Sequence, residues 1–219
     1  KTGRTRWELK RQTGPKTSYS TPCLYSPQTD TTQLIFTSHS HGITGVNPCK
    51  GTVIWEAESV LPARVVSSPV IAGRLLISSC GDGSRGKCLV AVDPVANVPK
   101  VAYTVDRSTA PYVPTSIANE GLLFTFHDSG YVSCLRSATG EQLWREKPAG
   151  KFFGSPVWVS GKLYCITTAG DVVVIRAASN YELLAVNPLG ERSHSTPAVA
   201  DGRIYLRTFS YLISIGPEK

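Results

Sequence analysis

One pattern recurs five times along this chain and limits what it can fold into. Its fullest copy runs Ser155-Pro156-Val157-Trp158-Val159-Ser160-Gly161-Lys162-Leu163-Tyr164-Cys165-Ile166, followed by the turn Thr168-Ala169-Gly170 and the run Asp171-Val172-Val173-Val174-Ile175. Short β-branched runs separated by glycine turns read as three successive strands. The stretches Ser68 to Ile77 and Thr196 to Leu206 repeat the pattern, and Thr21-Pro22 and Pro114 to Phe124 are looser copies. The interval is 47 residues from Pro22 to Pro69 and 46 from Pro69 to Thr115; Thr115 to Pro156 and Pro156 to Pro197 are each 41. Periods of this size belong to propellers or helical arrays. No repeat holds an uninterrupted stretch with apolar residues at helical spacing, which removes the arrays. Radially arranged blades of antiparallel sheet remain.

A second motif supplies a fourth, outer strand. Gly3 precedes Trp7 by four residues, as Gly51 precedes Trp55 and Gly140 precedes Trp144. Glycine provides the positive φ of a tight turn, and the indole fills space between neighbouring sheets. Tyr103 and Leu184 stand near the tryptophan position in the second and fourth repeats. The expected fold is therefore an all-β propeller of four-stranded antiparallel blades, about five blades' worth, in one domain spanning 1–219. Its repeats run about 17–57, 65–106, 112–147, 152–187 and 193–219, with 1–12 as an orphan closing strand. The last repeat lacks a fourth strand, so either the two ends complete one blade or the chain is part of a larger ring.

The Thr-Gly-x-x-x-Trp closures and Ser-Pro-Val-x-x-x-Gly-x-Leu-Tyr openings resemble the pyrroloquinoline-quinone (PQQ)-like repeat. That repeat is shared by quinoprotein alcohol dehydrogenases and by outer-membrane assembly lipoproteins related to them. The resemblance covers residues 1–216 and implies seven or eight four-stranded blades and an extracytoplasmic address, periplasmic or in the cell envelope. Five repeats fall short of that number, which favours a fragment of a larger propeller.

At 219 residues and 41% hydrophobic, the chain is long enough to bury a sizeable core. It has no run of about 18 apolar residues, so no membrane span is expected. It contains no methionine, so a leader or a longer parent chain is expected to precede residue 1. The net charge of +7 comes from scattered basic residues without a nucleic-acid-binding motif, which points to a spread positive surface and a protein or peptide partner, acidic in character, rather than nucleic acid. None of the six cysteines forms a C-x-x-C. Cys80 and Cys88 bracket a glycine-rich hairpin and form a candidate disulfide, whereas Cys134 and Cys165 fall in apolar runs as buried thiols. One disulfide would suit an exported protein.

Turns between second and third strands share a face of a propeller with the connectors between blades. His39, His41, Asp82, Arg85, His127 and Asp128 come from such turns, and Lys16, Tyr19 and Lys151 from connectors. The candidate partner-binding residues are Arg64, Arg107, Tyr112, Phe152, Arg192 and His194, all on connectors; a solvated loop face is the competing reading. His39-Ser40-His41 could chelate a metal, but no third ligand is evident and Gly42 directly after it favours a hairpin end, so no metal site is expected. Gly81-Asp82-Gly83-Ser84-Arg85-Gly86 matches G-x-G-x-x-G, but a strand follows instead of the helix that a dinucleotide site requires.

No G-x-S-x-G elbow appears and no catalytic residue is singled out. The resembled dehydrogenases use adjacent disulfide-bonded cysteines, a tryptophan floor, calcium-binding carboxylate and amide groups and a catalytic aspartate. Here no two cysteines are adjacent and no acid is marked out, while Trp158 stands on an inner strand, as core or channel wall. The expectation is a non-catalytic protein-binding or scaffolding module without a cofactor, the alternative being a PQQ- and calcium-dependent dehydrogenase or a fragment of one.

Overall fold

The computed structural model describes residues 2–26, 32–83, 85–94 and 98–217, the side chain of Arg85 excepted. Its strands form five antiparallel meanders in chain order. Blade I comprises β1 (Cys23–Tyr25), β2 (Gln33–Ser38), β3 (Gly42–Val46) and β4 (Val53–Ala57). Blade II comprises β5 (Val70–Ala72), β6 (Leu75–Asp82), β7 (Arg85–Asp93) and β8 (Lys100–Val105). Blade III comprises β9 (Ile117–Asn119), β10 (Leu122–Phe126), β11 (Val132–Arg136) and β12 (Gln142–Glu146). Blade IV comprises β13 (Val157–Val159), β14 (Lys162–Ile166), β15 (Asp171–Arg176) and β16 (Leu183–Pro188). Blade V has three strands, β17 (Ala198–Ala200), β18 (Arg203–Arg207) and β19 (Leu212–Ile215). The all-β propeller architecture read from the repeat is the observed one.

The turn chemistry explains the glycines. Between the first two strands of blades III, IV and V the two loop residues are Glu120-Gly121, Ser160-Gly161 and Asp201-Gly202, and all six have positive φ. Two consecutive left-handed residues define the type I′ hairpin, whose twist matches that of the flanking strands. A second irregularity is equally regular: blades I to IV each shift register between strands three and four, at Gly45/Val46, Ala91/Val92, Cys134/Leu135 and Val174/Ile175.

The core lies between blades, because the central strands of blades II, III and IV are buried on both faces. Leu76, Cys80, Val90 and Val92 pack towards Ile35, Ile43 and Trp55 of blade I. Their alternate neighbours Leu75, Ile77, Leu89 and Ala91 pack towards Leu123 and Leu135 of blade III. The period-two alternation of a strand therefore feeds two different cores. Phe124, Cys134 and Trp144 meet Leu163, Cys165 and Val173 in the next, and Ile166, Val172 and Val174 meet Leu206 in the last.

Hydrogen bonds relay the same order around the inner edge. Thr21 N donates to Ser68 Oγ (3.2 Å), Ser68 N to Thr115 Oγ1 (3.0 Å), Thr115 N to Ser155 Oγ (2.9 Å) and Ser155 N to Thr196 Oγ1 (2.9 Å). The hydroxyl residue of the repeated motif is thus the acceptor that fastens each blade to the one before it. That accounts for Ser or Thr at this position in blades II to V.

The outer aromatic residues pack between blades as expected, and at three places, though not at the fourth, they also hydrogen-bond to the neighbouring segment. Trp144 donates Nε1–H to Ala178 O of blade IV at 3.1 Å, and Tyr103 donates its hydroxyl to Ser137 O of blade III at 2.8 Å. Trp7 donates Nε1–H to Pro48 O at 2.8 Å and lies against Gly51, where any side chain would collide with the ring. Trp55, packed in the core between blades I and II, instead donates Nε1–H within its own blade, to Gln33 Oε1 at 2.7 Å, both groups buried. Residues 2–14 carry the Trp7 contact of a closing strand but form no strand themselves, and among the described residues β19 pairs only with β18. The segment is held by side chains: Arg11 bonds Glu56, and Gln12 O lies 3.1 Å from His41 Nε2.

Candidate functional site

The second-to-third-strand turns and the blade connectors share one face, and the connector-borne residues divide there into two groups. Arg64 ends a connector whose carbonyl accepts from Gly81 N at 2.9 Å, so it lies beside the β6–β7 turn. Its guanidinium is 3.6 Å from Asp82, which also receives Lys16 Nζ at 2.5 Å. The hydrogen bond from Lys16 pulls the Asp82 carboxyl below its usual range despite some desolvation. Tyr112 lies near Arg64, whose pKa it raises together with Asp82, and packs over Gly81, where a β-carbon would come within 2.7 Å of the ring. The glycine is there because the tyrosine needs its space.

Asp128 holds the next connector. Its carboxylate accepts Tyr112 N at 2.8 Å, Val113 N at 3.1 Å and Lys87 Nζ at 3.0 Å. His127, one residue earlier, donates Nε2–H to Arg107 O at 3.0 Å, and its Nδ1 accepts from Ser129 N at 3.1 Å. Burial, with Lys87 nearby, pushes its pKa below the ordinary histidine value. Arg107 itself is exposed at the rim.

The second group lies on blades IV and V. His194 stacks on Phe153 with centroids 4.8 Å apart and meets Phe209 edge-on at 5.3 Å. Arg192 stands over the other side of Phe209 at 5.6 Å. Phe153 is 48% exposed and Phe209 56%. An imidazole between two open phenyl rings, with a guanidinium beside them, offers apolar area, cation–π capacity and hydrogen-bond donors together.

Phe152 is a correction. It is 1% exposed and packs edge-on against Phe126 at 5.1 Å, so it supports the core and cannot touch a partner. The chain alternates at this connector, and Phe153 is the ring that faces outward. Sequence reasoning missed Phe153 and Phe209; the adjacent pair Phe152-Phe153 was the available signal, since one of two consecutive extended residues must point away from the core. Trp158, expected in core or channel wall, is 44% exposed.

The remaining polar motifs are structural. His39 Nδ1 lies 3.1 Å from Leu61 O, and His41 Nδ1 lies 3.1 Å from Glu56, so the two imidazoles are engaged separately. Burial raises the Glu56 carboxyl, but bonds from Arg11, His41 and Thr44 outweigh it and leave the pKa lowered. The glycine-rich stretch from Gly81 to Gly86 is the β6–β7 turn; Ser84 and the Arg85 side chain lie outside the described residues. Cys80 and Cys88 face each other across β6 and β7 as thiols, with sulfurs 3.1 Å apart.

The donors present do not fit a calcium-bound quinone. Asp82 and Asp128, two carboxylates of this face, are spent on lysines, an arginine and backbone amides, and Glu191 accepts from Ser210. Among the described residues, no three His, Cys, Asp or Glu side chains converge.

Residues 128–214 match the family described as outer membrane protein assembly factor BamB. No curated protein matches the chain in sequence. BamB from Moraxella catarrhalis superposes with a TM-score of 0.69 at 15% identity, covering 89% of this chain and 57% of that one. The computationally designed Ika4 protein superposes with a TM-score of 0.57 at 10% identity, covering 73% of this chain and 95% of that one. A europium-containing methanol dehydrogenase reaches a TM-score of 0.44 at 15% identity, over 54% of this chain and 23% of that one. The chain thus spans little more than half the length of the Moraxella protein. No helix among the described residues is long and apolar enough to cross a membrane. Repeat, blade topology and the superposition on the Moraxella protein agree that the chain has a β-propeller fold, and its residues 128–214 are similar to the BamB-described family.

Proposed function

We propose that this propeller is a non-catalytic protein-binding module of the cell envelope, working outside the cytoplasm. The observation that carries the reading is the open aromatic cluster of Phe153, His194 and Phe209 with Arg192 at its edge. Rings half open to water on a stiff scaffold are a contact surface in search of apolar cover. The partner is a protein or peptide with acidic groups, since Arg107, Arg192 and Lys151 stand exposed on this face of a chain with net charge +7. The description of the matching family as an assembly factor of outer membrane proteins supports both the partner class and the compartment.

The test compares the native chain with an Arg107→Glu, Arg192→Glu variant in cross-linking against envelope proteins. Both arginines are exposed, so charge reversal should leave the melting temperature within a degree or so, while a partner captured by the native chain is lost. Equal capture by both proteins would remove this face from the reading. A lowered melting temperature would make the arginines structural.

A further inference from the structure

We infer that Cys80 and Cys88 are a thiol–disulfide exchange site that closes into a cross-strand disulfide at the base of the β6–β7 hairpin. The two residues are direct register partners on adjacent strands, so their side chains leave the same face of blade II. Their sulfurs stand 3.1 Å apart. Thiols that close need only a small approach to reach bonding distance, and the backbone already has the pairing a cross-strand bridge requires. The other cysteines lack such a neighbour: Cys134 and Cys165 are buried in the core between blades III and IV, and burial raises both thiols, that of Cys134 to about 12.

The pair divides the exchange between an entry sulfur and a resolving one. Cys88 is part-exposed, whereas Cys80 is 0% exposed and packs in the core between blades I and II. A low-molecular-weight disulfide such as oxidised glutathione can therefore reach Cys88 and not Cys80. The Cys88 thiolate attacks the oxidant, one glutathione leaves with the proton Cys88 gave up, and Cys88 carries a mixed disulfide. Cys80 then attacks the Cys88 sulfur, loses its own proton, and releases the second glutathione. Two protein thiols are oxidised by two electrons and one glutathione disulfide is reduced to two thiols. In the reduced pair the hydrogen bond between the two sulfurs lowers the Cys80 thiol and raises that of Cys88, so the entry step requires that bond to open and Cys88 to give up its proton.

The place of the bridge gives it a consequence. Just beyond Cys80 the register shifts, leaving Gly81 under Tyr112 and Asp82 at the tip with Lys16 and Arg64. A covalent tie at the base shortens the free hairpin to the segment that presents this cluster. The inference is independent of whether the face binds a protein.

The experiment is peptide mapping of the full chain after incubation with oxidised glutathione, with free thiols blocked by N-ethylmaleimide in denaturant afterwards. The expected product has Cys80 and Cys88 in one linked species, lighter by two hydrogens and unlabelled. Its melting temperature should exceed that of the reduced chain by several degrees and fall back with reductant. In Cys80→Ser the reaction should stop at a glutathione adduct on Cys88. Labelling of both cysteines after oxidation, or a bridge from either to the exposed Cys49, would overturn the inference. Should Cys80→Ser fail to fold, mapping of the native chain decides alone.

Discussion

Blades IV and V begin with the same motif, Ser155-Pro156 and Thr196-Pro197, and share the same type I′ turn. Their interiors differ sharply. In blade IV, Val172 to Ile175 are buried in succession, alternate residues facing blade III and blade V. In blade V, Leu206 is a buried apolar residue, while Val199, Leu212 and Ile215 are 45%, 73% and 54% exposed. One sequence pattern thus gives a two-sided core or a one-sided one according to its neighbours. The repeat encodes a blade that expects company, and stability resides in the stacking between blades.

The largest effect should come from removing a residue that serves two blades. Phe152→Ala empties a fully buried site against Phe126, and a loss of about 3–5 kcal/mol is expected in chemical denaturation. Leu163→Ala should cost about 2–5 kcal/mol for the same reason. Ile213→Ala, on the third strand of blade V and only partly buried, should cost less than about 1 kcal/mol. Equal losses at Leu163 and Ile213 would show that blade V is covered in solution.

A smaller effect should distinguish the hydroxyl relay. Ser155→Ala removes the acceptor of Thr115 N and should cost about 1 kcal/mol, with Ser155→Thr restoring it. Thr21 occupies the same motif position, but among the described residues no donor reaches its hydroxyl, so Thr21→Ala should be close to neutral. Comparable losses at both positions would mean that the hydroxyl acts through the connector turn and not through the neighbouring blade.

These contrasts also show what the sequence made legible. The period, the glycine turns and the Ser/Thr-Pro motif each have a local cause, so the blades could be read residue by residue. The relay of hydroxyls could not, because its partners lie a whole repeat apart. The site was half legible for a related reason. Arg64, Arg107, Tyr112, Arg192 and His194 could be placed on connectors by position alone. Choosing Phe153 over Phe152 required knowing which side of an extended connector meets the core, and that depends on blade III. Trp55 spends its N–H within its own blade because Gln33 offers a buried acceptor that no neighbouring position revealed.

The smallest effect concerns the residue that opens the second-to-third-strand turn. His127, Thr167 and Thr208 occupy it in blades III, IV and V, with backbone bonds to Tyr131, Asp171 and Tyr211 at 2.7, 2.8 and 2.9 Å. Each side chain accepts the amide of a residue further round the turn, Nδ1 of His127 doing what the threonine hydroxyls do. Only the histidine titrates. Its folded pKa is depressed chiefly by burial, so the unfolded chain binds this proton more readily. The contribution of neutral His127 is therefore fully present above the ordinary histidine value of about 6.5 and is lost as pH falls from there through the folded value. His127→Thr should remove that part of the acid sensitivity, flattening the melting temperature between about pH 6.5 and the onset of carboxylate titration. An unchanged acid slope in the variant would assign the sensitivity elsewhere and leave the three turns equivalent.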